Sequence, residues 1–388
     1  MAKKIRLGLN LFFNNLTNSG IVNYIYNVVS ALNTLPDTSK PHIVVFYDNN
    51  APIDYIKEIN YPGIKFIKFR SFSPNKLVRK ANNLLKRFSG KDIYQQLLFL
   101  NKIDVLYPYF EFNDTAFEAV KHKVHWLVDF NNCAYPMHYE DDGSMMRIFQ
   151  ENLTSRTDHL VLSSCALLDE MKRYYPAYKN KVSVLRFASS LPEVINTDIN
   201  ELQTHFGLTK PYFMSPNQFW EHKNQLAVIE ALGILKKRGP LEFQVVFTGS
   251  MEVNRGKGHM LSKLLEAVNN YELEDNVKFL GIIDRNHQIA LMKNAVALIQ
   301  PSLYEGWSTL VEEAKALNKK IILSDIPVHR EQNCVNSYFF DPNLPQQLAG
   351  QMDFVFSNLT PENKIDYAEN IKNFGNDLLA MLKNECYQ

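Results

Sequence analysis

Residues 300–324, QPSLYEGWSTLVEEAKALNKKIILS, decide how this chain folds. With ALIQ (297–300) before them they read as an apolar strand, a turn-rich loop, an amphipathic helix opening on carboxylates, and a second strand, KIIL (320–323). Strand, helix, strand in that order is the unit from which parallel sheets are built, because the helix carries the chain back to the starting edge. Glu305 sits on the loop and Glu313, after seven intervening residues, is expected in the first helical turn. Between them the backbone amides of Ser308, Thr309 and Leu310 open a helix, where anionic groups are favoured.

Carboxylates accept hydrogen bonds from hydroxyls, and amides at a helix start face phosphate. The pair therefore suits a nucleoside diphosphate carrying a polyhydroxylated group. A purely structural reading stands beside it. Acidic residues in a first turn complement the helix dipole without any ligand, and Thr309 with Glu312 three residues on fits a capping box.

Outward from this segment the same alternation runs through the chain and predicts an α/β protein with parallel sheets. In the first half strands are expected at 5–11, 42–47, 65–69, 105–107, 124–128 and 159–162, with helices at 21–32 and 165–174. In the second half strands are expected at 212–215, 243–248, 277–280, 297–300 and 320–323, with helices at 225–237 and 286–294. A polar stretch at 187–197 reads as the linker. Two units follow: residues 1–188, joined by a C-terminal helix at about 372–388 that crosses back, and residues 189–371. A cleft between two such sheets is a preferred ligand site.

The chain of 388 residues exceeds one ordinary core, and 46% hydrophobic with 21% charged residues is the composition of a globular protein. Lys and Arg number 42 against 41 Asp and Glu, so no global field points to nucleic acid. Cys133, Cys165, Cys334 and Cys386 lack metal or redox spacing and read as reduced thiols of a cytoplasmic protein. No apolar run reaches the roughly 20 residues of a membrane span. One local departure lies between Lys76 and Lys91, where basic residues interleave with Leu77, Val78, Leu84, Leu85 and Phe88. At helical spacing this is either a core-packed helix with a solvated basic face or a peripheral contact with an anionic membrane.

In open α/β sheets ligands bind outside the carboxyl ends of the strands, and the polar candidates of the second half fall there. Asn217 and Gln218 follow the strand at 212–215, Gly249 the next, Gly281 and Ile282 the third, and Glu305 the fourth. Lys223, just before a helix, offers a compact positive charge to a diphosphate; the alternative is a solvated loop lysine. A leaving diphosphate develops charge that a lysine and aligned amides would stabilise, and no aspartate-rich metal site or cofactor-bearing lysine is visible. His222 and His329 read as structural or solvated, and Trp220 and Trp307 as walls of the cleft or packing residues. In the first half Asp129 follows a strand and precedes Asn131, Asn132 and Pro136. It reads as an acceptor-side base or orienting group if it faces Glu305, or else as a turn-forming residue. Gly20, before the first helix, would allow a ligand to approach the backbone.

Taken together, SLYEGWSTLVEEAKALNKKIILSDIP, YFMSPNQFWEHKNQ and WLVDFNN followed by a proline resemble the retaining glycosyltransferases of family four, which have the GT-B fold of two facing Rossmann-like domains. The resemblance spans nearly the whole chain and is looser before residue 120. It implies that Glu305 lies near the transferred sugar and that Glu313 holds the ribose hydroxyls. Lys223 and the Ser308–Leu310 amides would contact the diphosphate, and Gly281 with Ile282 would frame the base. It further implies metal-independent transfer from a nucleotide-diphosphate sugar to a glycan or lipid-linked acceptor, in polysaccharide-type biosynthesis. The chain departs from the family at three places. Gln218 stands where an Arg is frequent, Val128 where a His often precedes the acceptor-side Asp, and Ser19–Gly20 where paired glycines occur. A nucleotide-sugar epimerase of the same fold and a non-catalytic nucleotide-binding subunit are the alternatives. Sugar, base and acceptor are not legible in these residues.

Overall fold

The computed structural model describes residues 4–11, 19–47, 51, 53–68, 76–89, 102–109, 117, 120–139, 141–192, 198–251, 260–358 and 360–386. Two all-parallel sheets organise the chain. The first comprises β1 (Arg6–Leu11), β2 (His42–Tyr47), β3 (Ile64–Lys68), β4 (Val105–Tyr109), β5 (His122–Trp126), β6 (His159–Leu162) and β7 (Lys181–Val184), in the order β3-β2-β1-β4-β5-β6-β7. The second comprises β8 (Tyr212–Pro216), β9 (Gln244–Thr248), β10 (Val277–Gly281), β11 (Leu298–Gln300), β12 (Ile321–Ser324) and β13 (Ser337–Phe340), in the order β10-β9-β8-β11-β12-β13.

Strand sequences explain why both sheets lie inside. Alternate residues of β8 enter different cores: Phe213 packs with Val245, Phe247 and Ile299, whereas Tyr212 and Met214 pack with Val246, Leu298 and Leu323. A strand buried on both faces reads as a continuous apolar run, as parallel strands do. The strands that sequence reading missed are β7 and β13. Each is a half-buried edge strand of four residues, so neither an apolar run nor a clean alternation marks it.

Helix Ala368–Cys386 lies against the first sheet's core, where Phe374, Leu378 and Leu382 join Leu7, Leu9, Val28 and Leu32. Its last turn is fastened by Glu385 Oε1, 2.9 Å from His159 Nδ1. The C-terminal helix expected at about 372–388 begins four residues earlier, at Ala368. Of the linker expected at 187–197, Phe187, Ala188 and Ser189 are buried, and residues 193–197 lie outside the described residues. The Ser189 amide donates to Tyr367 Oη at 3.0 Å and the Ser190 amide to Asn27 Oδ1 at 2.8 Å. Its described start, residues 187–190, is thus a packed joint rather than a loose tether.

Candidate active site

In the second sheet the strand order reverses between β8 and β11, which pair through Met214 and Leu298. Loops leaving such neighbours diverge and open a crevice, and both candidate charges arise from them. Lys223 ends a short 3₁₀ turn, Glu221–Lys223, and Asn224 follows in the left-handed conformation at φ 55°, which Asn tolerates better than most residues. Asn224 Nδ2 donates to Pro301 O at 3.1 Å and to Pro342 O at 3.0 Å, joining this loop to the one after β11.

Lys223 Nζ thereby stands 2.6 Å from Glu305 Oε1. The same oxygen accepts from Gln300 Nε2 at 2.6 Å and Ser302 Oγ at 2.7 Å. Asn217 Nδ2 donates to Gln300 Oε1 at 2.7 Å and fixes that amide. Burial works to raise the Glu305 carboxyl, but the Lys223 cation and its hydrogen bond outweigh burial and hold it below its ordinary value. Sequence reading found the two charges but missed Gln300 and Ser302; both lie at the strand end inside the opening segment.

The helix start differs from the expected capping box. The cap is Ser308, whose Oγ accepts from Val311 N, and the helix runs Thr309–Ala316. Glu312 does not cap. It is buried and receives Lys315 Nζ at 3.1 Å, Gln332 Nε2 at 2.9 Å and Tyr367 Oη at 2.6 Å. The Ser308 amide is also taken, donating to Gln332 Oε1 at 3.2 Å. Thr309 and Leu310 supply the next two of the amides that a helix start leaves without intrahelical partners.

Glu313 lies in the second turn, not the first, and is 5% exposed. It pairs with Arg285, a residue sequence reading did not single out, at the start of helix Arg285–Asn294 just beyond Gly281. Tyr55 of the first domain lies close enough to the same guanidinium to interact with it electrostatically.

Gln218 Oε1 accepts from the Ser250 amide at 2.9 Å and so holds the turn after β9. Gly249 in that turn has φ 135°, and a Cβ there would lie 2.3 Å from Asn217 O. Its glycine is required by the chain's own backbone before any ligand is considered. Gly281 ends β10 at φ 68°, and Ile282 beyond it is exposed.

Across the cleft, the loop of Glu305 touches the loop of Asp129. A Cβ on Gly306 would lie 2.2 Å from Val128 O and 3.1 Å from Asp129 Cβ, so only glycine permits this approach. Phe130 N donates to Tyr304 Oη at 2.9 Å, and Ser164 Oγ donates to Gly306 O at 3.0 Å. Asp129 Oδ1 accepts from Asn131 N at 3.0 Å, and Asn131 Nδ2 donates to His222 Nδ1 at 3.0 Å. Asn132 is held in a reciprocal amide pair with Gln150, at 3.1 and 2.9 Å, inside the fold. Gly20 is not in a loop; it is the second residue of helix Ser19–Asn33 and is exposed. Trp307 does not wall the cleft either: its Nε1 donates to Phe187 O at 2.9 Å and its ring packs on the first core.

His329 is buried and His222 half-buried, so neither is a freely solvated ring. Burial, reinforced by Lys223, pushes the His222 imidazole down to about 3. His329 is pushed down to about 4, again chiefly by burial. Among the described residues no group of three or more His, Cys, Asp or Glu side chains is arranged to hold a metal ion.

Residues 197–374 match the family Glycosyl transferases group 1. The chain is 27% identical over 173 residues to the capsular polysaccharide biosynthesis glycosyltransferase CapH of Staphylococcus aureus, covering 44% of this chain and 46% of that one. It is 26% identical over 211 residues to the O-antigen chain mannosyltransferase RfbU of Salmonella typhimurium, covering 54% of each. These matches span about half the length of either relative. The crystal structure of Anabaena Alr3699/HepE in complex with UDP superposes with a TM-score of 0.62 at 14% identity, covering 98% of this chain and 97% of that one. The chain therefore carries, over residues 197–374, a domain of the Glycosyl transferases group 1 family, set in a two-sheet GT-B architecture.

Proposed function

We propose that this protein is a retaining glycosyltransferase that moves a sugar from a nucleotide-diphosphate donor to a glycan or lipid-linked acceptor, in polysaccharide biosynthesis. The observation that carries the reading is the Lys223–Glu305 pair at the β8/β11 crevice, beside a helix start and against the Asp129 loop. The donors to Glu305 converge on Oε1, so Oε2 is the oxygen for a sugar hydroxyl. Lys223 would turn toward the departing diphosphate, and the Thr309 and Leu310 amides would receive its other oxygens. In this reading those groups, rather than a metal, meet the charge of the leaving group. Asp129 stands on the acceptor side, with Asn131 joining its loop to that of Lys223. HepE, whose fold this chain shares, has been crystallised in complex with UDP, which makes a uridine donor the first to test.

The acceptor side includes a second element. In helix Lys76–Ser89 the described part of the apolar stripe is not packed into the core, since Leu84 is 62% and Phe88 82% exposed, while the side chains of Leu77 and Val78 lie outside the described residues. Asn82 is buried, so the helix rests on a face that excludes this patch. Lys80 and Arg87 flank it and are exposed. Exposed Leu and Phe beside Lys and Arg complement an anionic lipid surface, and we assign the helix to a membrane carrying the acceptor. No described helix is long and apolar enough to cross a membrane.

A thermal-shift panel of nucleoside diphosphates and their sugars should single out the donor, because a ligand stabilises in proportion to its occupancy. Transfer from that donor to a lipid-linked or oligosaccharide acceptor should then be lost in Glu305→Gln. Isomerisation of the donor without acceptor would establish an epimerase instead. Binding with no transfer to any acceptor would leave a nucleotide-binding subunit.

A further inference from the structure

Arg285 belongs to no motif singled out in the sequence, yet it is held from three directions. Its Nη1 donates to Gln288 Oε1 at 2.6 Å, and Gln288 Nε2 donates to Thr248 Oγ1 at 3.3 Å, at the end of β9. Its Nη2 pairs with Glu313 Oε1. From the first domain Tyr55, itself stacked on Tyr26 at 4.2 Å, lies close enough to interact electrostatically with the guanidinium. Its Nε–H is buried and has no acceptor among the described residues.

The electrostatics give this arrangement a purpose. Glu313 is nearly fully buried, and it lies one helical turn past the Thr309 amide, about 6 Å along the axis. A carboxylate that close to a bound diphosphate repels it, the more so away from water. Gln218, on the loop after β8, brings no charge to offset it.

Resting on the proposed donor chemistry, we infer that Arg285 is a positioning residue for the nucleotide. It offsets the Glu313 carboxylate so that a diphosphate can occupy the adjoining helix start, and it presents its Nε–H to an oxygen of that nucleotide. The glycine turns at Gly249 and Gly281 shape the same rim but carry no charge.

Calorimetry on the full chain with uridine, UMP and UDP, repeated for the guanosine series, tests this. Arg285→Gln should weaken binding in proportion to phosphate charge: more than tenfold for the diphosphate, less for the monophosphate, and little for the nucleoside. Arg285→Lys, which keeps a charge but not the planar fork, should recover part of the loss. If wild type and Arg285→Gln bind the diphosphate equally, or the nucleoside suffers as much as the diphosphate, the inference is overturned and the donor chemistry stands. If the wild-type chain binds no nucleotide, both fall. Melting of the ligand-free variants separates a folding defect from a binding one, and Arg285→Lys keeps the test open should the Gln variant not fold.

Discussion

At the scale of single residues, Glu305 and Lys223 act as one unit, and the two substitutions should differ. Glu305→Gln keeps the shape of the side chain and the donors around it. Initial rates with saturating donor should fall on the order of 10²–10³-fold, the loss typical of one transition-state stabilising group. A variant keeping a tenth of the wild-type rate would refute the assignment. Lys223→Ala instead leaves a buried carboxylate without its cation, which is strongly destabilising, so it should lower both activity and melting temperature.

Buried His329 and half-buried His222 contribute to the pH response, in the same direction as His125, which burial also pushes down to about 4. Held at about 3 and about 4, the His222 and His329 rings carry fewer protons folded than unfolded from about pH 4 up to the ordinary value near 6.5. Stability must therefore fall as pH drops through that window. Glu305, held below its ordinary value, adds a loss at still lower pH, in the same direction. Calorimetric melting at pH 7 and pH 5 should show the lower temperature at pH 5, and a flat profile would contradict the lowered values of these rings.

At the scale of elements, the motifs were legible wherever a segment's own chemistry fixed its structure. β2, β6 and helix Cys165–Tyr174 have the bounds expected from apolar runs and caps. The capping residue was misread by one position because Ser308 and Thr309 are both good caps, and only the backbone at Ser308, φ −83° and ψ 111°, distinguishes them. Helix Lys76–Ser89 is the sharper case. Its pattern announces an amphipathic helix, but a pattern does not say whether the apolar face meets a core or a membrane. Leu84→Ser with Phe88→Ser should abolish sedimentation with anionic vesicles while leaving the melting temperature within about a degree, since exposed substitutions cost little. Loss of folding would place that face in the core after all. In the turn after β9, Gly249→Ala should destabilise by about 1–3 kcal/mol through backbone strain alone, read as a lowered denaturation midpoint.

At the scale of the whole molecule, the two sheets meet through a few close contacts, with Gly306 at the centre. Gly306→Ala should separate the Glu305 and Asp129 loops, giving a larger radius of gyration by small-angle scattering and slower transfer, while each sheet still melts cooperatively. An unchanged radius with full activity would show the contact to be dispensable. Glu331 reinforces the closure from the second sheet, accepting from Cys165 N at 2.8 Å, Ala166 N at 3.1 Å and Arg186 Nε at 2.7 Å. By itself the sequence determined the alternation of strand and helix, the two parallel sheets and the polar residues at their carboxyl edges. Those follow from periodicity and helix-end chemistry, which act over a few residues. Only the tertiary structure decided what each charge faces: that Lys223 pairs with Glu305, that Glu312 is buried structure, and that Arg285 and Tyr55 converge on Glu313. The Lys223–Glu305 and Arg285–Glu313 pairings join residues 82 and 28 positions apart. Packing of whole sheets creates them, and no local pattern in the chain encodes them.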